Sequence, residues 1–174
     1  TEKRILEQYS INSGKPVGIQ FSKKIQSASY SPDGQKILIC SVDGEVIEYS
    51  DTPQLLFKHN AVIQASYNDS GTNVLIAPND LCVIEISLGI ENRWRYVLTD
   101  ANTYRYPETT LFIPTDPNKI LVKFDGESTF YSFNTENGKW MDPFTGHRAQ
   151  INSFAFSPCK NYLLTSSEDH TVKE

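Results

Sequence analysis

The chain has 174 residues, which is enough for one domain with a hydrophobic core. Its 16 basic and 21 acidic residues give a formal net charge of −5, whereas a general nucleic-acid binder needs a basic face that displaces counterions. No apolar run approaches the roughly 18 residues of a membrane span, so we expect neither general nucleic-acid binding nor a membrane partner.

The three cysteines, Cys40, Cys82 and Cys159, are too few and too scattered for a disulfide framework or a zinc cluster. Cys40 and Cys82 lie inside apolar runs, which predicts buried thiols in a reducing compartment. We therefore expect an intracellular protein, cytoplasmic or nuclear, without a metal site.

The first 24 residues read as two strands joined by a turn. Ile5–Tyr9 and Val17–Phe21 are the strand-like runs, and Gly14 lies in the turn between them. This pattern does not begin a unit of the kind that follows. We interpret residues 1–24 as the outer strands of a preceding or closing unit.

A turn rich in Pro, Asp, Asn and Gly then recurs four times, because a chain reversal needs preset or positive φ angles. The four copies are Ser31–Gly34, Asn68–Gly71, Thr115–Asn118 and Ser157–Lys160. They follow one another at spacings of 37, 47 and 42 residues. A repeat of this length indicates an array of similar units.

Each recurrent turn sits between strand-like runs. An alternating run such as Ala28–Tyr30 or Phe154–Phe156 precedes it, and a short β-rich run, an acidic turn and the start of a third strand follow. The sequence shows no helix-period segment of useful length, so we predict an all-β chain of four-stranded antiparallel units. The predicted units are 25–58, 59–103, 104–145 and an incomplete 146–174, all in one domain.

The last unit contains Gly146-His147, then Thr165 on a predicted strand and Asp169 in the next turn, and it resembles one blade of a WD-repeat β-propeller. In that family a buried hydrogen-bond network links such a histidine, hydroxyl and aspartate to a tryptophan, whose position here would be 175. The resemblance implies a structural network, rather than a catalytic one, of His147, Thr165 and Asp169. The other units are degenerate and keep only part of the pattern: Asp43 in the first, His59 and Asp80 in the second, and an out-of-register Asp125 in the third.

The resemblance implies a β-propeller of which about four blades are present here. Because the chain begins and ends within a predicted blade, we expect a slice of a larger propeller of about seven blades. Two alternatives stay open. Residues 1–21 could complete the blade begun by residues 151–174 and close a four-bladed ring, or two chains could close into a larger ring.

We find no catalytic constellation in the sequence, because it lacks His-x-x-x-His, Cys-x-x-Cys, a nucleophile elbow and a glycine-rich phosphate loop. We therefore predict a protein that is not an enzyme and carries no cofactor and no metal.

Two sets of residues are candidates for partner binding. Aromatic residues interleaved with arginine are enriched at interfaces, although an outer strand with its aromatics against the sheet predicts the same alternation. That first set is Arg93, Trp94, Arg95, Tyr96, Tyr104 and Arg105. Family geometry implies a second set facing the central channel: Gln26, Gln64, Asn152, Val42, Asn79 and Glu168.

The sequence therefore favours a non-catalytic scaffold that presents a rigid surface to partner proteins or peptides within a multiprotein complex. One alternative is a propeller domain that gates or positions substrate for a hydrolase elsewhere in the protein. A sensor at the end of a larger signalling or ribonucleoprotein-assembly protein is another.

Overall fold

The structure is a computed structural model of the chain. It describes the backbone of residues 4–9, 16–21, 23–78, 80, 82–89, 93–99 and 106–174. Side chains are described for residues 23–78, 80, 82–89, 95 and 106–174. The described part of the chain consists of strands and turns, which confirms the all-β prediction. None of its segments is a helix with the length and apolar composition that crossing a lipid bilayer requires.

The strands form one hairpin and four antiparallel sheets, each built from consecutive strands. The hairpin is β1 (Arg4–Tyr9) and β2 (Pro16–Phe21). The first sheet is β3 (Ile25–Tyr30), β4 (Ile37–Ser41), β5 (Glu45–Tyr49) and β6 (Gln54–Lys58). The second sheet is β7 (Val62–Tyr67), β8 (Asn73–Pro78), β9 (Cys82–Ser87) and β10 (Arg93–Thr99). The third sheet is β11 (Pro107–Ile113), β12 (Asp116–Phe124), β13 (Tyr131–Asn134) and β14 (Lys139–Trp140). The fourth sheet is β15 (Ile151–Phe156), β16 (Leu163–Ser167) and β17 (Val172–Lys173).

The recurrent turns join the first and second strands of three sheets, and a side chain caps each of them. Ser31 Oγ accepts from the backbone N–H of Lys36, and Ser157 Oγ accepts from that of Tyr162, at 2.9 and 3.1 Å. The Asn68 side chain does the same in the second sheet, where its Oδ1 accepts from the N–H of Thr72. Such local bonds explain why Ser and Asn begin these turns.

The third sheet departs from the predicted turn. The sequence pattern placed a turn at Thr115–Asn118, but β12 already begins at Asp116, whose pairing partner is Ile113. Only Pro114 and Thr115 remain between the strands. A register shift between Phe112 and Ile113 accompanies this tighter reversal, so the prediction was wrong by about two residues.

The core lies between neighbouring sheets. Leu38, Leu75 and Leu121 occupy the same register on β4, β8 and β12, and each is at most 1% exposed. Each belongs to a cluster with residues of the following sheet. Strands covered on both faces read as continuous apolar runs, and burying one leucine contributes about 1.5–3 kcal/mol.

Backbone hydrogen bonds also join neighbouring sheets at one end. The N–H of His59 donates to the carbonyl of Gly44 at 2.9 Å, and the N–H of Ile151 donates to the carbonyl of Glu127 at 3.2 Å. Each bond connects the turn after a second strand to the segment that begins the next sheet. The starts of the first strands and the ends of the second strands therefore share one end of the fold.

Candidate partner-binding site

Every sheet carries a β-bulge at the start of its first strand. The register shifts lie between Ile25 and Ser27, Val62 and Gln64, Pro107 and Thr109, and Ile151 and Ser153. A bulge leaves one residue out of the ladder and re-aims its side chain. The four bulged residues are Gln26, Ile63, Glu108 and Asn152.

A turn residue accompanies the bulge in three sheets. The backbone N–H of Val42 donates to the carbonyl of Lys24, that of Asp125 to Tyr106, and that of Glu168 to Gln150. Each acceptor is the residue immediately before a first strand. These bonds are 2.8, 3.1 and 3.0 Å long. We call the end formed by Gln26, Ile63, Glu108, Asn152, Val42, Asp125 and Glu168 the bulge face.

The register corrects one predicted residue of this face. The sequence pattern of the repeated units predicts Gln64 as the equivalent of Gln26 and Asn152, but Ile63 is the bulged residue of the second sheet. Gln64 is half-buried, and its Oε1 accepts from the backbone N–H of Thr110 at 3.4 Å. It therefore joins two sheets.

The register also moves Asp125. The sequence predicts Asp125 as the turn aspartate of the third unit, out of register. Its backbone N–H bond places it level with Val42 and Glu168 instead, so Gly126 stands level with Asp43 and Asp169. Glu108 and Asp125 thus belong to the bulge face, and the sequence pattern predicted neither of them as a residue of this face.

Among the predicted residues of this face, Gln26, Val42, Asn152 and Glu168 are exposed. Asn79 lies outside the described residues.

The aromatic and arginine set is only partly described. Arg93, Trp94 and Tyr96 lie on β10, but their side chains are outside the described set, as are Tyr104 and Arg105 altogether. Nε and Nη2 of Arg95 both donate to Oε2 of buried Glu85, at 3.0 and 2.7 Å. Arg95 is thus anchored to its own sheet.

The bulge face contains a cleft between the second and third sheets. It has a volume of about 410 Å³ and is lined by Ile63, Tyr106, Pro107, Glu108 and Asp125. Ile63 comes from the second sheet, and the other four belong to the third sheet or border it. The cleft therefore combines an apolar wall, an exposed aromatic ring and two carboxylates.

A buried ammonium group is bonded to one of these carboxylates. Lys123 is 2% exposed, and its Nζ donates to Oε2 of Glu108, which is 39% exposed. The equivalent residues of the first two sheets, Cys40 and Ala77, are small and uncharged. A buried charge needs a partner, so Lys123 holds Glu108 at the edge of the cleft.

In the fourth sheet, the structure brings His147, Thr165 and Asp169 together. His147 Nδ1 lies 2.9 Å from Asp169 Oδ2, and His147 Nε2 lies 2.9 Å from Thr165 Oγ1. The side chains of His147 and Asp169 are 3% and 10% exposed. The Thr171 hydroxyl and the N–H of Arg148 also donate to Asp169, and with His147 they hold its pKa well below the usual range.

Comparisons with known proteins agree with this geometry. Residues 138–173 match the family model of the WD domain, G-beta repeat. Over 97% of its length, the chain superimposes on 60% of the crystal structure of the Myceliophteria thermophila Cps50 (Swd1) beta-propeller domain, with a TM-score of 0.76 and 10% sequence identity. The fold is a β-propeller.

Two curated relatives are similar in sequence. The chain is 23% identical over 160 residues to the periodic tryptophan protein 2 homolog of Dictyostelium discoideum, covering 87% of this chain and 17% of that protein. It is 24% identical over 144 residues to the serine-threonine kinase receptor-associated protein of Bos taurus, covering 80% of this chain and 41% of that protein. The chain thus spans less than half the length of these relatives.

The WD repeat matched by the family model contains the His147 network, and the other sheets contain only remnants of it. His59 Nε2 lies 3.8 Å from Asp80 Oδ2, which is an ion-pair distance rather than a hydrogen bond. Within the described residues, His59 Nδ1 is buried without a hydrogen-bond partner. In the first sheet, the Asp43 carboxylate forms an ion pair with the Lys23 ammonium at 3.0 Å.

Proposed function

We propose that this chain is a non-catalytic interaction scaffold of the WD-repeat type, which presents its bulge face to partner proteins or peptides in a larger assembly. The observation that carries the proposal is the repeated bulge. A bulge interrupts a ladder, yet every sheet has one at the same end and turns one side chain out of the ladder there.

The rest of the fold supplies the rigidity that such a surface needs. Apolar clusters fill the spaces between consecutive sheets. Turns on a rigid scaffold can recognise a partner without a large cost in ordering the binding surface.

The comparisons support protein partners. The WD-repeat match and the β-propeller neighbour both support a β-propeller fold, and the name of the Bos taurus relative describes that protein as associated with a kinase receptor. The net charge of −5 supports a protein rather than a general nucleic-acid partner.

We place the protein inside the cell, in the cytoplasm or the nucleus. Cys40, Cys82 and Cys159 are all free thiols, and Cys40 and Cys82 are buried. Free thiols are typical of reducing compartments.

The test is a selection of peptides from a displayed random library on the wild-type protein, followed by affinity measurements with variants. Asn152→Ala and Gln26→Ala each remove an exposed polar side chain from the bulge face. Their matched controls are Asn161→Ala and Gln35→Ala, which remove exposed residues of the same types near the opposite ends of the same first strands.

We expect selected peptides to lose affinity with at least one bulge-face variant and to keep it with both controls. Equal affinities for all four variants, or losses confined to the controls, would overturn the proposal.

A further inference from the structure

The cleft between the second and third sheets has the size of a ligand site. Its volume of about 410 Å³ falls within the roughly 300–1,000 Å³ that is typical of small-molecule sites. Pro107 and Ile63 form an apolar wall, and Tyr106, 49% exposed, adds an aromatic ring. The cleft can therefore cover the aliphatic part of a long side chain.

The charges of the cleft favour a cation. Glu108 and Asp125 contribute two carboxylates, and the buried Lys123 ammonium is bonded to Glu108. Within the described residues, the exposed Asp125 carboxylate has no ion-pair partner. Among the described residues, these two carboxylates and the Lys123 ammonium carry a net charge of −1.

A guanidinium or ammonium group on an aliphatic stem satisfies all of these features. Asp125 can accept a charge-assisted hydrogen bond from it, and the Tyr106 ring can attract it through a cation–π contact. Arginine fits better than lysine because its planar fork can bind a carboxylate through two hydrogen bonds.

We propose that this cleft binds an arginine or lysine side chain of a partner peptide, with Asp125 as its main electrostatic partner. The inference rests on the proposed scaffold function, and it adds the chemistry of the partner. It concerns Ile63, Glu108 and Asp125, which the register adds to the predicted bulge face.

The test uses two synthetic peptides of glycine and serine that differ only at the central residue. One carries arginine and the other carries citrulline, which has nearly the same shape without the charge. Each is titrated into ¹⁵N-labelled protein, and chemical-shift changes report both the affinity and the place of binding. We expect the arginine peptide to shift the amides of Ile63, Glu108 and Asp125, and the citrulline peptide to bind about tenfold more weakly.

Asp125→Asn removes the proposed partner charge at nearly constant shape, and Asp142→Asn is the matched control, because Asp142 is an exposed aspartate that follows β14 outside the bulge face. We expect the arginine peptide to lose about tenfold in affinity with the first variant and to keep its affinity with the second. Equal binding of the two peptides, or unchanged affinity with Asp125→Asn, would overturn the inference.

The outcome separates this inference from the scaffold proposal. If library-selected peptides depend on Asn152 or Gln26 while arginine binding ignores Asp125, only the cationic partner is wrong. If no bulge-face variant affects any peptide, both proposals fail.

Discussion

The phenol of Tyr67 donates a hydrogen bond of 2.8 Å to Oε1 of Glu48. Glu48 lies on β5 of the first sheet, whereas Tyr67 ends β7 of the second sheet, so the bond joins two sheets. The Glu48 side chain is 9% exposed, and its Oε2 accepts from Lys36 at 2.8 Å. Burial, together with the Glu48 carboxylate, raises the pKa of Tyr67 far above its usual value, which keeps the phenol a donor.

Replacing this phenol with a phenyl ring should weaken the contact between the first two sheets. Tyr67→Phe leaves a buried carboxylate oxygen without its donor, and we expect the free energy of unfolding to fall by about 1–3 kcal/mol. Tyr30→Phe is the matched control, because Tyr30 precedes the equivalent turn and is exposed. Urea unfolding of both variants measures the difference, and equal stabilities would contradict the role of the bond.

Two glycines with positive φ test the connection at the bulge face. Gly44 has a φ of 83°, and a Cβ there would clash with the carbonyl oxygen of His59. Gly34 has a φ of 72° with nothing within 4 Å of such a Cβ. We expect Gly34→Ala to cost about 1–2 kcal/mol, from backbone strain alone, and Gly44→Ala to cost clearly more.

Thermal and urea unfolding of the two alanine variants provide the measurement. A Gly44→Ala variant as stable as Gly34→Ala would mean that the two sheets do not approach each other closely at this turn.

The buried pair of Lys123 and Glu108 should respond unequally to the loss of each partner. Glu108→Ala leaves a buried ammonium unpaired, and we expect a loss of about 2–4 kcal/mol, reduced by the partial exposure of Glu108. Lys123→Met keeps the volume without the charge, and we expect a loss below about 1.5 kcal/mol. The double variant should resemble Lys123→Met, and a double-mutant cycle in urea tests this. Equal losses for the two single variants would show that burial of the ammonium is not the dominant cost.

The low pKa of Asp169 predicts a pH dependence. A carboxyl whose folded pKa lies below its unfolded value of about 3.9 stabilises the fold above that pH. This contribution is lost as the pH falls through the folded pKa. We therefore expect Asp169→Asn to be less stable than the wild type at pH 5, and the gap to narrow steadily toward pH 2. Urea unfolding across this range measures the gap, and a constant gap would contradict the argument.

The sequence predicted the parts of the fold that depend on side-chain chemistry. Glycine at the recurrent turns and apolar alternation on either side predicted the strands of the first two sheets. The resemblance of the last unit to a WD-repeat blade implied a network of His147, Thr165 and Asp169, and the structure places these side chains within hydrogen-bond distance. Such a network satisfies polar groups that are buried in the sheet.

The bulges could not be read in the same way. Val62 and Ile63 are both apolar, so the first apolar residue of β7 does not show which one is bulged. Side-chain type does not reveal where two residues of one strand lie opposite one residue of its neighbour. The sequence pattern therefore predicted Gln64 rather than Ile63 as the residue of the bulge face. For Lys123 a signal did exist, since this lysine interrupts the apolar run from Ile120 to Phe124.

The most direct test of the scaffold account is to locate a bound peptide. A library-selected peptide carrying a photoreactive group is cross-linked to the wild-type protein, and the linked residues are identified by mass spectrometry. The account predicts cross-links at the bulge face, near Gln26, Glu108 or Asn152. Cross-links confined to the opposite end, near Gly34 or Asn161, would contradict it.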